Sequence, residues 1–208
     1  MKIGKKETVL VFGLSLVSKI LTYFLLFVLG NYYSKASYGL VSFTLSIFNL
    51  VLFFSVMGLP TILIPWIIDK RDISSIFYFL SIINIIFVII GLFISIKYSW
   101  ILPLVLILPL MLLDRIGVAI LNIKYKYHIV RFFNVLLILI TSVSVFILKD
   151  LDILGLTIGY SLGYLTSIIA TIYLTRKEIF KLISKVRFNY PIIKEYIKTG
   201  FALYILAI

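Results

Sequence analysis

Cysteine is absent from this 208-residue chain, and histidine occurs once, at His128. The absence of cysteine excludes disulfides, thiolate metal sites and cysteine nucleophiles. His128 lies in a segment rich in lysine and tyrosine, where we expect a solvated side chain rather than a ligand. The sequence also has no HExxH motif, no aspartate-rich metal motif and no glycine-rich phosphate loop. We therefore predict that the chain is not an enzyme and that it binds no metal or cofactor.

Charged residues are scarce as well: Asp, Glu, Lys and Arg make up 13% of the chain, against 62% hydrophobic residues. The mean hydropathy is +1.19. A soluble fold would not have enough polar surface to cover such a composition. These proportions predict an integral membrane protein.

Long apolar runs are abundant, and six of them reach the length of about 20 residues that a membrane-spanning helix needs. We predict an all-α integral membrane fold, a six-helix transmembrane bundle. Pro60 and Pro65 would break the end of span two, and Gly155, Gly159 and Gly163 would allow close helix packing in span six. The predicted spans are Thr8–Gly30, Gly39–Ile68, Ser74–Ile96, Ile101–Leu121, Val130–Leu148 and Ile153–Thr175.

Positive charges are distributed unevenly between the connections. The first, third and fifth connections hold only Lys35, Lys97 and Lys149. The excess of lysine and arginine in cytoplasmic loops therefore predicts a cytoplasmic N-terminus in a multi-pass protein of the cell membrane. The net charge of the chain is +12, and we expect its lysine and arginine side chains to contact anionic membrane lipids rather than nucleic acid. The opposite side holds Lys2, Lys5, Lys6, Lys70, Arg71, Lys124, Lys126, Arg131, Arg176, Lys177, Lys181, Lys185, Arg187, Lys194 and Lys198.

The sequence after the sixth span changes character. Residues 176–195 are predicted to form a basic amphipathic linker on the inner leaflet, ended by Pro191, with a merely solvated linker as the alternative. Residues 1–175 would then be an N-terminal six-helix lobe, and residues 196–208 the start of a seventh helix in a truncated second lobe. The apolar positions behind the linker prediction, at helical spacing, are Ile179, Leu182, Ile183 and Val186.

Lys19 is the deepest cation in the predicted bundle. At 1.5 Å per residue, it lies about 15 Å from either end of the hydrocarbon, too far for its side chain to reach water. An ionised group at that depth costs about 2.5–3.5 kcal/mol on insertion, so such residues face a wet cavity or a partner. We predict that Lys19 attracts substrate in a cavity, and a structural ion pair with Asp114 is the alternative.

Asp114 and Arg115 are neighbours in the fourth span. Adjacent helix positions point about 100° apart, so we expect that these two side chains neither face one partner nor pair with each other. Arg115 would either join Lys19 in binding an anion or reach toward the inner headgroups. Asp114 is a candidate for binding a coupling proton or cation. Asn49 and Asn84 are predicted either to bind substrate or, like Asn134, to hydrogen-bond between helices.

Three segments carry a resemblance to a known family. FGLSLVSKIL at Phe12–Leu21, ASYGL at Ala36–Leu40 and VMGLP at Val56–Pro60 resemble the first two helices of Wzx-type flippases. These are oligosaccharide-lipid transporters of the multidrug/oligosaccharidyl-lipid/polysaccharide superfamily. The resemblance covers the chain in layout and is specific over its first 70 residues or so, where Lys19 matches the basic position of the family's first helix.

The resemblance implies about 12 to 14 helices in two lobes with a cationic central cavity and alternating access. It implies a polyisoprenyl phosphate or pyrophosphate carrying a glycan as substrate, and other polysaccharide-assembly membrane proteins as partners. A multidrug exporter of the same superfamily is the nearest alternative, although a cationic drug would favour acidic cavity residues. A membrane glycosyltransferase would need longer loops than these, and a non-transporting assembly protein is the third alternative.

Overall fold

The structure is a computed structural model that describes residues 5–56, 59–69, 73–124, 126–183 and 188–207. All regular secondary structure in these ranges is helical, and short 3-10 turns at Ser99–Ile101 and Lys149–Leu151 precede two of the helices. The helices are α1 Lys5–Tyr32, α2 Lys35–Val56, α3 Leu59–Ile68, α4 Ser74–Lys97, α5 Leu102–Ile123, α6 Tyr127–Ile147, α7 Asp152–Ile183 and α8 Tyr190–Ala207.

Six of these helices are long and apolar enough to cross a membrane, which confirms the prediction of an all-helical chain with six candidate spans. They are α1, α2, α4, α5, α6 and α7. The bounds of α1, α4, α5 and α6 lie within a few residues of a predicted span, because a long apolar run is a local property of the sequence, whereas α2 ends earlier and α7 ends later than predicted. Two further helices, α3 and α8, were not predicted with these bounds.

The central helix is α5, and α1 lies at the periphery. Two-thirds of the apolar stretch of α5 is buried, and this helix contacts α3, α4, α6 and α7. In α1 only 6% of the corresponding stretch is buried, and its contacts are mainly with α6. The α1–α6 contact is held at one end by Tyr33, whose hydroxyl donates a hydrogen bond of 2.7 Å to the Val145 carbonyl.

Side-chain contacts show which helix ends lie together. At one end, Lys149 Nζ lies 5.0 Å from the centre of the Tyr32 ring, and Ser37 Oγ donates a hydrogen bond of 2.9 Å to Asp152. We call this the Trp100 end, because the turn containing Trp100 joins α4 and α5 there. At the opposite end, which we call the Glu7 end, the Glu7 carboxylate lies 3.2 Å from His128 Nδ1, and Lys124 pairs with Glu178.

The glycine stripe of α7 faces α6. A Cβ atom added at Gly155 would lie 2.0 Å from the Leu148 carbonyl oxygen, and one at Gly159 would lie 2.5 Å from a methyl group of Val145. The two helix backbones therefore approach more closely than any larger residue would allow. This confirms the close packing predicted from the four-residue spacing of the glycines.

The described residues of the second predicted span, Gly39–Ile68, belong to two helices, and the break predicted at Pro65 is wrong because α3 continues through it. α2 ends at Val56 and α3 begins at Leu59, while residues 57 and 58 lie outside the described part of the chain. Pro60 lies in the first turn of α3, where proline removes no intrahelical hydrogen bond. α3 packs against α5 and α8, and its Ile62, Leu63 and Trp66 belong to a buried apolar cluster.

The predicted linker is also wrong in its first half, because α7 continues unbroken to Ile183. Ile179 is 6% exposed and belongs to the same cluster as Trp66 and Tyr196, and Leu182 packs against that cluster. Ile179 and Leu182 are thus covered by protein rather than left for a lipid surface. Val186, the last residue of the pattern, lies outside the described residues.

Pro191 begins a helix instead of ending one. It lies in the first turn of α8, which starts at Tyr190, before the predicted start of a seventh helix. α8 buries Ile193 and Tyr196 against α3 and α4, so the helix includes residues before the predicted start at 196.

Candidate functional site

A polar cavity of about 280 Å³ lies between α5, α6 and α7. Each helix contributes four lining residues at the same spacing of i, i+3, i+4 and i+7, which is one face of an α-helix. The cavity forms where these three faces meet. Its lining residues are Met111, Asp114, Arg115 and Val118 from α5, Val130, Phe133, Asn134 and Leu137 from α6, and Tyr164, Ser167, Ile168 and Thr171 from α7.

Asp114 is the buried charged group of this cavity. Its side chain is 7% exposed, and its Oδ1 atom has no hydrogen-bond partner among the described residues. The Thr171 hydroxyl lies beside the carboxylate and also donates a hydrogen bond of 2.9 Å to the Ser167 carbonyl. A buried acceptor without a partner costs about 1–3 kcal/mol. A ligand with a hydrogen-bond donor could therefore bind Asp114 Oδ1 in the cavity without displacing a partner from the protein.

Arg115 lines the same cavity, which corrects our expectation that it and Asp114 would not face one partner. The directions of the two side chains do differ, but the cavity extends across a whole face of α5, from Met111 to Val118, and reaches both. Arg115 takes part neither in the Lys124–Glu178 pair nor in the Glu7–His128 contact. The guanidinium is half-buried and supplies up to five hydrogen-bond donors.

Four polar residues complete the cavity and were not among our predicted site residues. Asn134 is exposed, so the cavity reaches the surface of the bundle at α6. The others lie on α7, where polar residues recur three and four positions apart in an otherwise apolar helix. This spacing could have been noticed in the sequence. The three residues line a cavity, however, only because α5 and α6 pack against this face of α7. These three residues are Tyr164, Ser167 and Thr171.

The other predicted site residues lie elsewhere. Asn49 is exposed on α2. Asn84 is buried on α4, and its amide donates a hydrogen bond of 3.0 Å to the Leu80 carbonyl of its own helix. Lys19 is exposed on the outer face of α1 and does not line the polar cavity. Of the five predicted residues, only Asp114 and Arg115 come together.

Large apolar side chains lie exposed around Lys19 on α1, and the hydroxyls of the neighbouring Ser15 and Thr22 donate hydrogen bonds to carbonyls of their own helix. Leu16, Ile20 and Tyr23, which share its side of α1, are all more than half exposed. No contact between Lys19 and Asp114 is present in the described bundle, so the alternative of a structural pair has no support there. The lysine is therefore available to whatever lies against the outer face of α1.

The cavity combines a guanidinium, a carboxylate, an amide and three hydroxyl-bearing side chains. Such a set binds ligands that both donate and accept several hydrogen bonds, as saccharides do. The described residues contain no cluster of three or more side chains suited to a metal ion. Comparison with protein-family models, with curated proteins and with solved structures finds no match for this chain.

Proposed function

We propose that the chain is part of a transporter that moves a polyisoprenyl-phosphate- or pyrophosphate-linked oligosaccharide across the cell membrane. The six apolar helices would span that membrane with the N-terminus in the cytoplasm, forming the first lobe of a two-lobe protein. The sequence resemblance to Wzx-type flippases supports this family of substrates. The apolar length of the helices supports the membrane setting.

The polar cavity is the observation that carries the proposal. A glycan cannot cross hydrocarbon unaided, because each hydroxyl would lose its hydrogen bonds to water. Sugar hydroxyls would donate to the unmet oxygen of Asp114 and accept from the Arg115 guanidinium and the Asn134 amide. The isoprenoid chain needs no such path, because it is already soluble in the bilayer.

Lys19 would act on the phosphate rather than on the sugar. It lies exposed near the middle of α1, at the basic position that the family resemblance identifies. A cation at that depth attracts an anionic group moving past the helix. In a flipping assay, Lys19→Ala should abolish transport while Lys19→Arg retains part of it.

A binding experiment tests the sugar-binding role of the cavity. The purified chain in nanodiscs would be titrated with a polyisoprenyl-phosphate disaccharide and, separately, with the same lipid phosphate lacking sugar. Asp114→Asn and Arg115→Gln should each weaken binding of the glycosylated lipid about ten-fold, the loss expected for one charge-assisted hydrogen bond. Arg131→Gln is the control, because Arg131 is exposed on α6 outside the cavity. Equal affinity of the wild-type protein for the two lipids would contradict the proposal.

The buried carboxylate of Asp114 also favours a second candidate, export of a cationic drug. The two functions predict that Asp114 is needed for the binding of different ligands, a glycosylated lipid for the flippase and a cation for the exporter. Binding of a quaternary ammonium compound that is lost in Asp114→Asn, with no preference for the glycosylated lipid, would identify the exporter.

A further inference from the structure

A second cavity differs from the first in both place and chemistry. It is a crevice of about 370 Å³ between α2, α4 and the start of α5, and it opens near the Trp100 end. Its walls are formed by apolar side chains such as Phe43 and Ile47 of α2 and Ile90 and Ile94 of α4. Thr44 also lines it, but the Thr44 hydroxyl donates a hydrogen bond of 3.0 Å to the Leu40 carbonyl of its own helix. The inner walls of the crevice are therefore suited to an apolar ligand.

The mouth of the crevice has the residues that proteins place at a membrane surface. Tyr98 and Trp100 both line it, and their ring centres are 6.3 Å apart. Aromatic residues of this kind prefer the level of the lipid headgroups. Lys97, the last residue of α4, holds its Nζ atom 5.5 Å from the centre of the Tyr98 ring, so a positive charge lies beside the mouth.

We propose that this crevice binds one acyl chain of a phospholipid whose anionic headgroup is held by Lys97. The charge at the mouth selects this occupant. Lipid tails are as apolar as the crevice walls, so the walls alone would not prefer one lipid over another. Lys97 would prefer an anionic headgroup over a neutral one. The proposal requires only that the chain lies in a membrane and is independent of the transported substrate.

Trp100 provides a direct reporter of the bound chain. The chain has two tryptophans, and Trp66 is 6% exposed in the core near the opposite end. The full chain would be reconstituted in phosphatidylcholine bilayers containing small amounts of phosphatidylglycerol with brominated acyl chains, which quench tryptophan on contact. The protein with Trp100→Phe measures the contribution of Trp66, which is then subtracted.

We expect brominated phosphatidylglycerol to quench Trp100 about five times more effectively than brominated phosphatidylcholine at equal mole fraction. That factor is what one basic residue near an anionic headgroup contributes at low salt. Lys97→Gln should remove the preference and Lys97→Arg should keep it. Lys149→Gln is the matched control: Lys149 also lies at the Trp100 end over aromatic rings, but it does not adjoin the crevice.

Three results would overturn the proposal. Equal quenching by the two brominated lipids would show that no anionic lipid is selected. A preference for brominated phosphatidylglycerol that is unchanged in Lys97→Gln would show that Lys97 does not hold the headgroup. Quenching that rises for both lipids alike as the protein is diluted with lipid would show that a second copy of the chain, rather than a lipid, covers the crevice.

Discussion

Gly163 lies at a close contact between α7 and α6, and replacing it with alanine should destabilise the folded bundle. The added Cβ atom would lie 2.0 Å from Thr141 Oγ1 and 2.7 Å from the Leu137 carbonyl oxygen. Rotation of the Thr141 side chain relieves only the first contact. The Leu137 oxygen belongs to the backbone of α6, so the two helices must separate to relieve the second.

The size of the effect follows from two opposing terms. Overpacking of a close contact costs about 1–3 kcal/mol. Alanine is a better helix former than glycine by about 1 kcal/mol. Because the clash involves backbone, we expect the packing term to dominate, with a net loss of about 1–2 kcal/mol for Gly163→Ala. Gly13→Ala in α1 is the matched control, since a Cβ atom there meets no other atom within 4 Å and only the favourable term applies.

Unfolding in mixed micelles, titrated with sodium dodecyl sulfate and followed by far-UV circular dichroism, would compare the two variants. We expect Gly13→Ala to unfold at the same or a higher fraction of the denaturing detergent than the unsubstituted chain, and Gly163→Ala at a lower one. Equal midpoints for the two variants would refute the close α6–α7 contact.

Three further predictions concern other parts of the bundle. Tyr33→Phe removes the hydrogen bond to the Val145 carbonyl and should lower the free energy of unfolding by about 0.5–1.5 kcal/mol in the same assay, whereas an unchanged midpoint would contradict that bond. Lys124→Ala breaks a largely exposed ion pair with Glu178 and should change stability by no more than about 1 kcal/mol, so a larger loss would show that the pair is buried. In intact cells, an impermeant maleimide should label Lys35→Cys but should label Lys124→Cys only after permeabilisation, and the reverse pattern would contradict a cytoplasmic N-terminus.

The division of the second predicted span into α2 and α3 and the continuation of α7 mark the limits of what hydropathy predicts. Hydropathy registers how apolar a segment is, and the end of α2 and the start of α3 are both apolar, so hydropathy assigns them to one span. The sixth predicted span ends at Thr175 because the basic residues Arg176 and Lys177 follow it. The helix continues because Ile179 and Leu182 find a buried surface on the cluster around Trp66. That surface is formed by residues of α3, α4 and α5, which lie far away along the chain, and by Tyr196 of α8, so no local pattern contains it.

The sequence by itself determined the number of long apolar helices, their approximate positions and the glycine stripe, because apolar length and residue spacing are properties of one segment at a time. Only the tertiary structure decided which ionisable residues meet. Asp114 and Arg115 share a cavity because faces of α6 and α7 close around one face of α5. Lys19 is charged and lies near the middle of its helix, as Asp114 and Arg115 do. It does not line the polar cavity, because α1 presents a different face to α6. Depth along a helix can be counted from the sequence, but the direction a side chain faces depends on which helices pack around it.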